Sequence, residues 1–400
     1  MQNIVIDKPY KFIKPGRSKF WLKLFELYIP RYLRKSHGIH SWEIRGKEHL
    51  EKSIKQKYSI MLTPNHCRPA DPMLIGMLCR EMGISSYIMA SWHLFMQEDL
   101  YAKILPKVGV FSIYREGIDR DSIKFAITTL TEAERVLVLF PEGVVSRTNN
   151  KLNHLMEGTS FIAGTAAKKR ISTGKSGKSV VHPVAIRYFF DGDIDKTLSP
   201  VLAQMEKRLT WQPATGTPLK KRIEKIAHAL LGLKEINFFG APMEGSVSER
   251  IENLITNILH PLEDEWLSNG YCDRSEDVIS RVKKLRMAIL PDITKGNITD
   301  NEKNRRWKQL ADIYLAQQLS LYPPGYLGET PTPEELLETV ERLEEDLTDK
   351  VTLHSPLKAT IEIGEAIEVN PQRNKTLKKD PLMQKIEFSI NKMLLSKNAK

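Results

Sequence analysis

Between residues 42 and 183 the chain alternates short apolar runs with stretches of helical periodicity, and this restricts its fold more than any other feature. Residues 58–63, 86–90, 108–114, 136–140 and 180–186 read as strands, because each run is short, apolar and bounded by polar or turn-forming residues. Residues 72–82, 119–134 and 156–170 carry the helical period. Buried strands alternating with helices build a largely parallel sheet covered on its faces. The expected class is α/β: a mixed, largely parallel sheet flanked by helices, with an N-terminal amphipathic helical segment and a mostly helical C-terminal region. Sites in such sheets gather at the carboxyl ends of strands. His66, Arg115 and Glu142 each fall just past the end of an expected strand.

The first of these ends reads Pro64-Asn65-His66-Cys67-Arg68-Pro69-Ala70-Asp71. A histidine and an aspartate five positions on can share a hydrogen bond if the chain turns between them. That bond fixes the imidazole tautomer and frees the other ring nitrogen to accept a proton. Asp71 before Pro72, with Met73, Leu74, Met77 and Leu78 at helical spacing, equally suits a helix N-cap with proline at N1. The second end, Gly109-Val110-Phe111-Ser112-Ile113-Tyr114-Arg115, places an arginine fork suited to phosphate at a strand terminus. A surface arginine is its plainer reading. The third, Phe140-Pro141-Glu142-Gly143-Val144-Val145-Ser146-Arg147-Thr148, offers a carboxylate and a glycine where a ligand can approach the backbone, and Arg147 adds a second phosphate contact. A tight turn fits it as well. The fourth, Val181-His182-Pro183-Val184-Ala185-Ile186, is a strand carrying a proline, expected at an edge or a strand end. Cys67 adjoins His66, but neighbouring positions diverge and it reads as packing.

In this order the four pieces resemble the 1-acylglycerol-3-phosphate acyltransferase superfamily, which includes the glycerol-3-phosphate acyltransferases. Asn65-His66…Asp71 is similar to its first block, a histidine and an aspartate separated by four residues. Gly109…Ser112-Ile113-Tyr114-Arg115 approximates its Gly…Phe-Ile-x-Arg, with Ser112 at the usual phenylalanine. Phe140-Pro141-Glu142-Gly143 matches the third block throughout, and 181–186 the fourth. Glu157-Gly158…Ala163…Ala166-Ala167 looks like the helix between the last two. The resemblance covers roughly residues 44–188. It implies His66 as general base on the acceptor hydroxyl, Asp71 as its orienting partner, and Asn65, Arg115, Glu142, Gly143 and Arg147 around the acceptor. It implies acyl-CoA or acyl-carrier protein as donor, a lysophospholipid or glycerol phosphate as acceptor, and neither metal nor cofactor. The lysophosphatidate enzymes usually continue Glu-Gly-Thr-Arg-Ser; here Ser146-Arg147-Thr148 comes later and looks more like the glycerol-3-phosphate enzymes, so both acceptors stay open. A non-catalytic lipid-binding or membrane-remodelling protein and an acyl thioesterase are the other readings on this scaffold.

The rest of the chain bears on where such an enzyme works. Net charge is +11, which favours an anionic partner. Residues 1–50 hold eleven Lys and Arg against four Asp and Glu, and Phe20, Trp21, Leu24, Phe25, Tyr28 and Tyr32 share one helical face there. This composition suits a helix lying in lipid headgroups, or one packed on its own domain; Pro30 is expected to kink or end it. A nucleic-acid role is disfavoured, since the basic surplus accompanies aromatic positions and not a binding motif. The first ten residues lack a signal peptide's apolar region, and no apolar run approaches a membrane span. Cys67, Cys79 and Cys272 have no metal spacing and an odd count. These features predict a cytoplasmic protein, peripheral on the cytoplasmic face of a membrane. The expected organisation is a basic helical segment at 1–41, a glycerolipid acyltransferase-like domain at 42–245, a helical accessory region or insertion at 246–350, and at 351–400 a strand and helix able to return to the sheet. Residues 236–240 and 360–365 are expected to be strands around the helical region, and 168–178 a Gly/Ser/Lys loop.

Overall fold

The computed structural model describes residues 8–16, 18–97, 100–267, 273–322, 324–372 and 379–396; Cys272 lies outside them. By internal contacts the chain forms two compact units. One gathers Lys11–Tyr114, Ile118–Asp191 and Leu353–Lys400; the other gathers Arg115–Gly117 and Gly192–Thr352 with the described part of Met1–Tyr10.

The first unit is built on a mixed, mostly parallel sheet. Its strands are β1 (Ile39–Arg45), β2 (Ser59–Pro64), β3 (Ser86–Ser91), β4 (Val110–Ile113), β5 (Val136–Val138), β6 (Ser179–Phe190), β7 (Leu357–Ile363) and β8 (Ile367–Glu368). They lie in the order β1-β7-β6-β2-β5-β3-β4, with β8 beside β6. Every pairing is parallel except those of β6 with β7 and β8. The strand expected near 360 does return, between β1 and β6. Helices α1 (Lys19–His37), α2 (Lys47–Lys55), α3 (Asp71–Glu81), α4 (Leu100–Ile104), α5 (Arg120–Glu132) and α6 (Gly158–Ser172) belong to this unit.

Strand pleating decides which helix lies on which face. Met61, Leu137, Val181 and Ala185 share one buried cluster with Ala126 and Leu130 of α5 and Ala163 and Ala166 of α6, joined near the chain end by Ile386 and Ile390. The alternate residues Ile60, Leu62, Val138, Val184 and Ile186 face the other side, toward α3. So β2 sends its following helix to one face, and its neighbour β5 sends α6 to the other. A crevice opens where two adjacent parallel strands part company in this way.

The second unit holds α7 (Ile194–Arg208), α8 (Leu219–Phe239), α9 (Val247–Trp266), α10 (Val278–Lys295), α11 (Asp300–Ser320) and α12 (Pro333–Thr348); the last helix, α13 (Pro381–Leu394), returns to the sheet unit. A capping box at the start of α12 is formed by Thr332 and Glu335. Residues 192–245, expected with the α/β domain, group with these helices.

Two local expectations need correction. Residues 236–239 are helical, not a strand: α8 continues the buried stripe Ile223, Ile226, Leu230 and Leu231 as far as Glu235 and stops at Gly240, whose φ of 80° makes the left-handed cap. Their β-branched and aromatic composition yields to that packing. The first helix runs through Pro30 to His37. A proline deprives the carbonyl four residues back of its partner, and here the carbonyl of Glu26 accepts Arg80 Nη1 at 3.0 Å instead. Ile29 and Leu33 of α1 are buried, whereas Phe20 and Leu27 remain 68% and 69% exposed, with Leu24 and Tyr28 also outward. Among the described residues no helix is long and apolar enough to cross a membrane.

Candidate active site

Strand lengths create the site. On one side β6 stays paired with β7 from Val184 to Phe190. On the other it pairs with β2 only as far as Val184, because β2 ends at Pro64. Beyond that point Ile186 and Tyr188 would carry buried, unmatched peptide groups, a costly state. Two asparagine side chains replace the missing strand. Asn65 Oδ1 accepts from Ile186 N at 2.7 Å while its Nδ2 donates to Ile186 O at 3.0 Å. Asn149 does the same for Tyr188, at 2.6 and 2.8 Å. Asn65 therefore acts as a backbone mimic for Ile186.

The loop that leaves β2 carries His66. Its Nδ1 lies 2.8 Å from Asp71 Oδ2, which also accepts Arg68 N at 2.9 Å. Asp71 Oδ1 accepts the hydroxyl of Tyr188. The aspartate is wholly buried at the start of α3, and its side chain makes no cap bond; Ala70 occupies the cap position. The capping alternative for Asp71 is thereby displaced: its oxygens serve the histidine, the loop and the tyrosine. The Tyr188 hydroxyl has its pKa raised well above normal by burial and then by the neighbouring Asp71, so it stays a donor. An acceptor on Nδ1 puts the ring proton there and leaves Nε2 with its lone pair. The ring is 16% exposed and stacks on Phe140 with centroids 4.3 Å apart. No described side chain or backbone group bonds Nε2.

A second histidine feels Asp71 but makes a poor base. Burial and then the positive charge of Arg68 push His37 down to about 4, against the opposing pull of Asp71. Cys67 is buried, with Sγ 3.5 Å from Ile186 O and 3.8 Å from Asp71 Oδ1, as packing requires.

The loop that leaves β5 holds the first loop in place. Glu142 is wholly buried; Oε1 accepts from His66 N at 2.6 Å and Oε2 from Asn153 N at 3.1 Å. Each oxygen accepts from a backbone N–H, so Glu142 ties the histidine loop to the loop around Asn153. Burial pushes its carboxyl up to about 7, with the two backbone hydrogen bonds opposing. Gly143 follows at φ 68°, and a Cβ there would lie 2.5 Å from Met156 Sδ. Ser146 N donates to His66 O at 2.7 Å. Arg147 sits next, partly exposed, with a left-handed φ of 54°.

The sheet unit thus brings together Asn65, His66, Asp71, Glu142, Gly143 and Arg147. Arg115 groups with the helical unit, beside Glu116, Lys283 and Arg286. Tyr188, Asn149 and Asn153 carry part of the site and escaped sequence reasoning. Tyr188 had one signal: it stands two residues beyond Ile186 on the same strand, hence on the same face. Nothing in the sequence marks the two asparagines.

The geometry supplies an oriented imidazole with an open nitrogen at the carboxyl end of a central strand, the equipment for removing a proton from a hydroxyl. No curated protein matches the chain. A family model described as Acyltransferase matches residues 41–187, and that stretch is an acyltransferase domain of the superfamily holding the glycerol-3-phosphate and 1-acylglycerol-3-phosphate acyltransferases.

Proposed function

We propose that the domain transfers a fatty acyl group from the thioester of acyl-CoA or acyl-carrier protein to the hydroxyl of a lysophospholipid or glycerol phosphate. The observation that carries this is the open Nε2 of His66, whose Nδ1 is held 2.8 Å from buried Asp71. His66 Nε2 takes the acceptor's hydroxyl proton as that oxygen attacks the thioester carbonyl. A C–O bond forms, the C–S bond breaks, and the imidazolium returns the proton to the departing thiolate. Asp71 keeps the ring in one tautomer and offsets the imidazolium charge. Arg115 supplies a fork for the acceptor's phosphate, and Arg147 is a second cation for it.

The exposed stripe of Phe20, Leu24, Leu27 and Tyr28 on α1 supports work at a membrane surface. Apolar side chains that face outward beside lysines suit the lipid headgroup boundary, where such acceptors reside.

Purified protein incubated with mixed acyl donors and acceptors, followed by lipid mass spectrometry, tests the reaction. His66→Ala should lower turnover about 10²- to 10⁴-fold. A folded variant with near-normal turnover would end the general-base assignment. Release of free fatty acid, with no acylated acceptor, would make the protein a thioesterase.

A further inference from the structure

Four buried arginines of the helical unit come with carboxylates, and a fifth, Arg342, donates to the carbonyl of Leu321. Arg222 of α8 meets Glu206 of α7, Arg250 of α9 meets Glu235 of α8, and Arg281 of α10 meets Glu263 of α9. Each uses the same edge of the guanidinium, Nε and Nη2, on two carboxylate oxygens. Arg306 of α11 meets Glu302 and Asp292. Removing a guanidinium from water without such a partner is costly.

Arg286 breaks this pattern. It lies on α10 and is only 3% exposed, yet its Nε and Nη2 are buried with no hydrogen-bond partner among the described residues. The empty edge is the one that Arg222, Arg250 and Arg281 each present to a glutamate. Its charged neighbours deepen the imbalance. Burial and then the charge of Arg115 push Arg286 down to about 10, with Glu116 and Tyr314 opposing. Lys283, one turn back on α10, is lowered by burial and then by Arg115, with Glu116 again opposing. Arg115 itself is lowered by burial and opposed by Glu116. Three cations thus stand around one carboxylate, in a unit whose other buried arginines each have a hydrogen-bond acceptor.

We infer that Arg286, with Lys283 and Arg115, forms a binding site for a phosphate group. A phosphate monoester brings a charge of about −1.5 to −2 and three acceptor oxygens. It would neutralise the local excess, and two of its oxygens fit the open fork in the manner of a carboxylate. Lys283 adds a point charge, and Glu116 keeps the cluster from over-repelling when empty. The site's natural ligand rests on the reading of Arg115 as a contact for the acceptor's phosphate; the site itself is testable apart from that reading.

The probe is inorganic phosphate at constant ionic strength, with chloride as control, read by thermal unfolding and titration calorimetry on the full chain. Phosphate should raise the melting temperature of the wild type, and Arg286→Met should weaken its binding at least tenfold. Without phosphate, Arg286→Met should melt at or above the wild type, because it removes an unmatched charge; a merely structural arginine would give the opposite sign. If that variant does not fold, Lys283→Gln carries the test with a several-fold loss of affinity. Equal binding by variant and wild type, or no binding by the wild type, overturns the site. Competition by glycerol 3-phosphate assigns the phosphate to the acceptor, and competition by CoA assigns it to the donor. Phosphate binding lost with Arg286→Met in a protein that transfers no acyl group would sink the acyl-transfer reading and leave the site standing.

Discussion

Replacing Glu142 by glutamine should remove one specific pH dependence from the stability of this fold. The carboxyl is wholly buried and titrates at about 7 in the folded chain against 4.5 in the unfolded one, with burial as the main cause. Between those values the unfolded state has lost the proton that the folded state still holds. The sign follows: the group's contribution is full below pH 4.5 and is lost as pH rises through about 7. At about 1.4 kcal/mol per pH unit, the loss amounts to about 3 kcal/mol. A glutamine keeps the shape and can still accept from His66 N, but its amide N–H then meets Asn153 N–H. That mismatch costs about 1–3 kcal/mol at any pH. Glu142→Gln should therefore be the less stable protein at pH 5 and should draw level with the wild type, or pass it, by pH 8. Urea unfolding at intervals between pH 5 and 8 measures both. Parallel pH profiles for the two proteins would refute the burial argument.

Arg115→Ala should weaken the apparent affinity for the acceptor by roughly 1.5–3 kcal/mol and leave the donor term unchanged, as steady-state kinetics with each substrate varied in turn will tell. A change confined to the donor term would move Arg115 to the donor site. Gly143→Ala should cost about 1–2 kcal/mol for a left-handed backbone, with a further cost for displacing Met156, and chemical denaturation reads the sum. Phe20→Glu, Leu24→Glu and Leu27→Glu together should abolish co-sedimentation with anionic vesicles while the melting temperature holds, because all three side chains are exposed. Undiminished sedimentation would place the lipid contact elsewhere.

Much of the sheet was legible because its strands are short and buried, and the helices between them keep one period. Residues 58–63 became Ser59–Pro64 and residues 136–140 became Val136–Val138, errors of boundary and not of kind. The strand Ile39–Arg45 was not recognised: its Ser41, Glu43 and Arg45 alternate with partly covered residues, which gives no continuous apolar run. The chain after Tyr188 was harder. Its helices bury charge as well as hydrocarbon, and Glu206, Arg222, Glu235 and Arg250 occupy interior positions where a periodicity argument expects apolar side chains. Such pairs lie fifteen or sixteen residues apart, a separation that marks nothing in sequence. In the site, His66 and Asp71 were legible through spacing. The backbone contacts of Asn65 and Glu142 were not, because the same residue types serve equally to touch a ligand or to match a backbone.

That geometry has a consequence for catalysis. The peptide of His66 is held at both ends, by Glu142 on its N–H and Ser146 on its C=O, while Asn65 ties the preceding residue to β6. Asp71 and Phe140 fix the ring. If His66 is the base proposed above, it has too little freedom to search for its substrate, and the reacting hydroxyl must be carried to it by contacts made elsewhere on the acceptor. Such positioning can account for a larger part of a rate than proton transfer does. For the reaction proposed above, specificity then lies with groups remote from the histidine: cations for a phosphate and an apolar surface for a chain. The basic residues outside the site and the exposed face of α1 have the chemistry for both tasks.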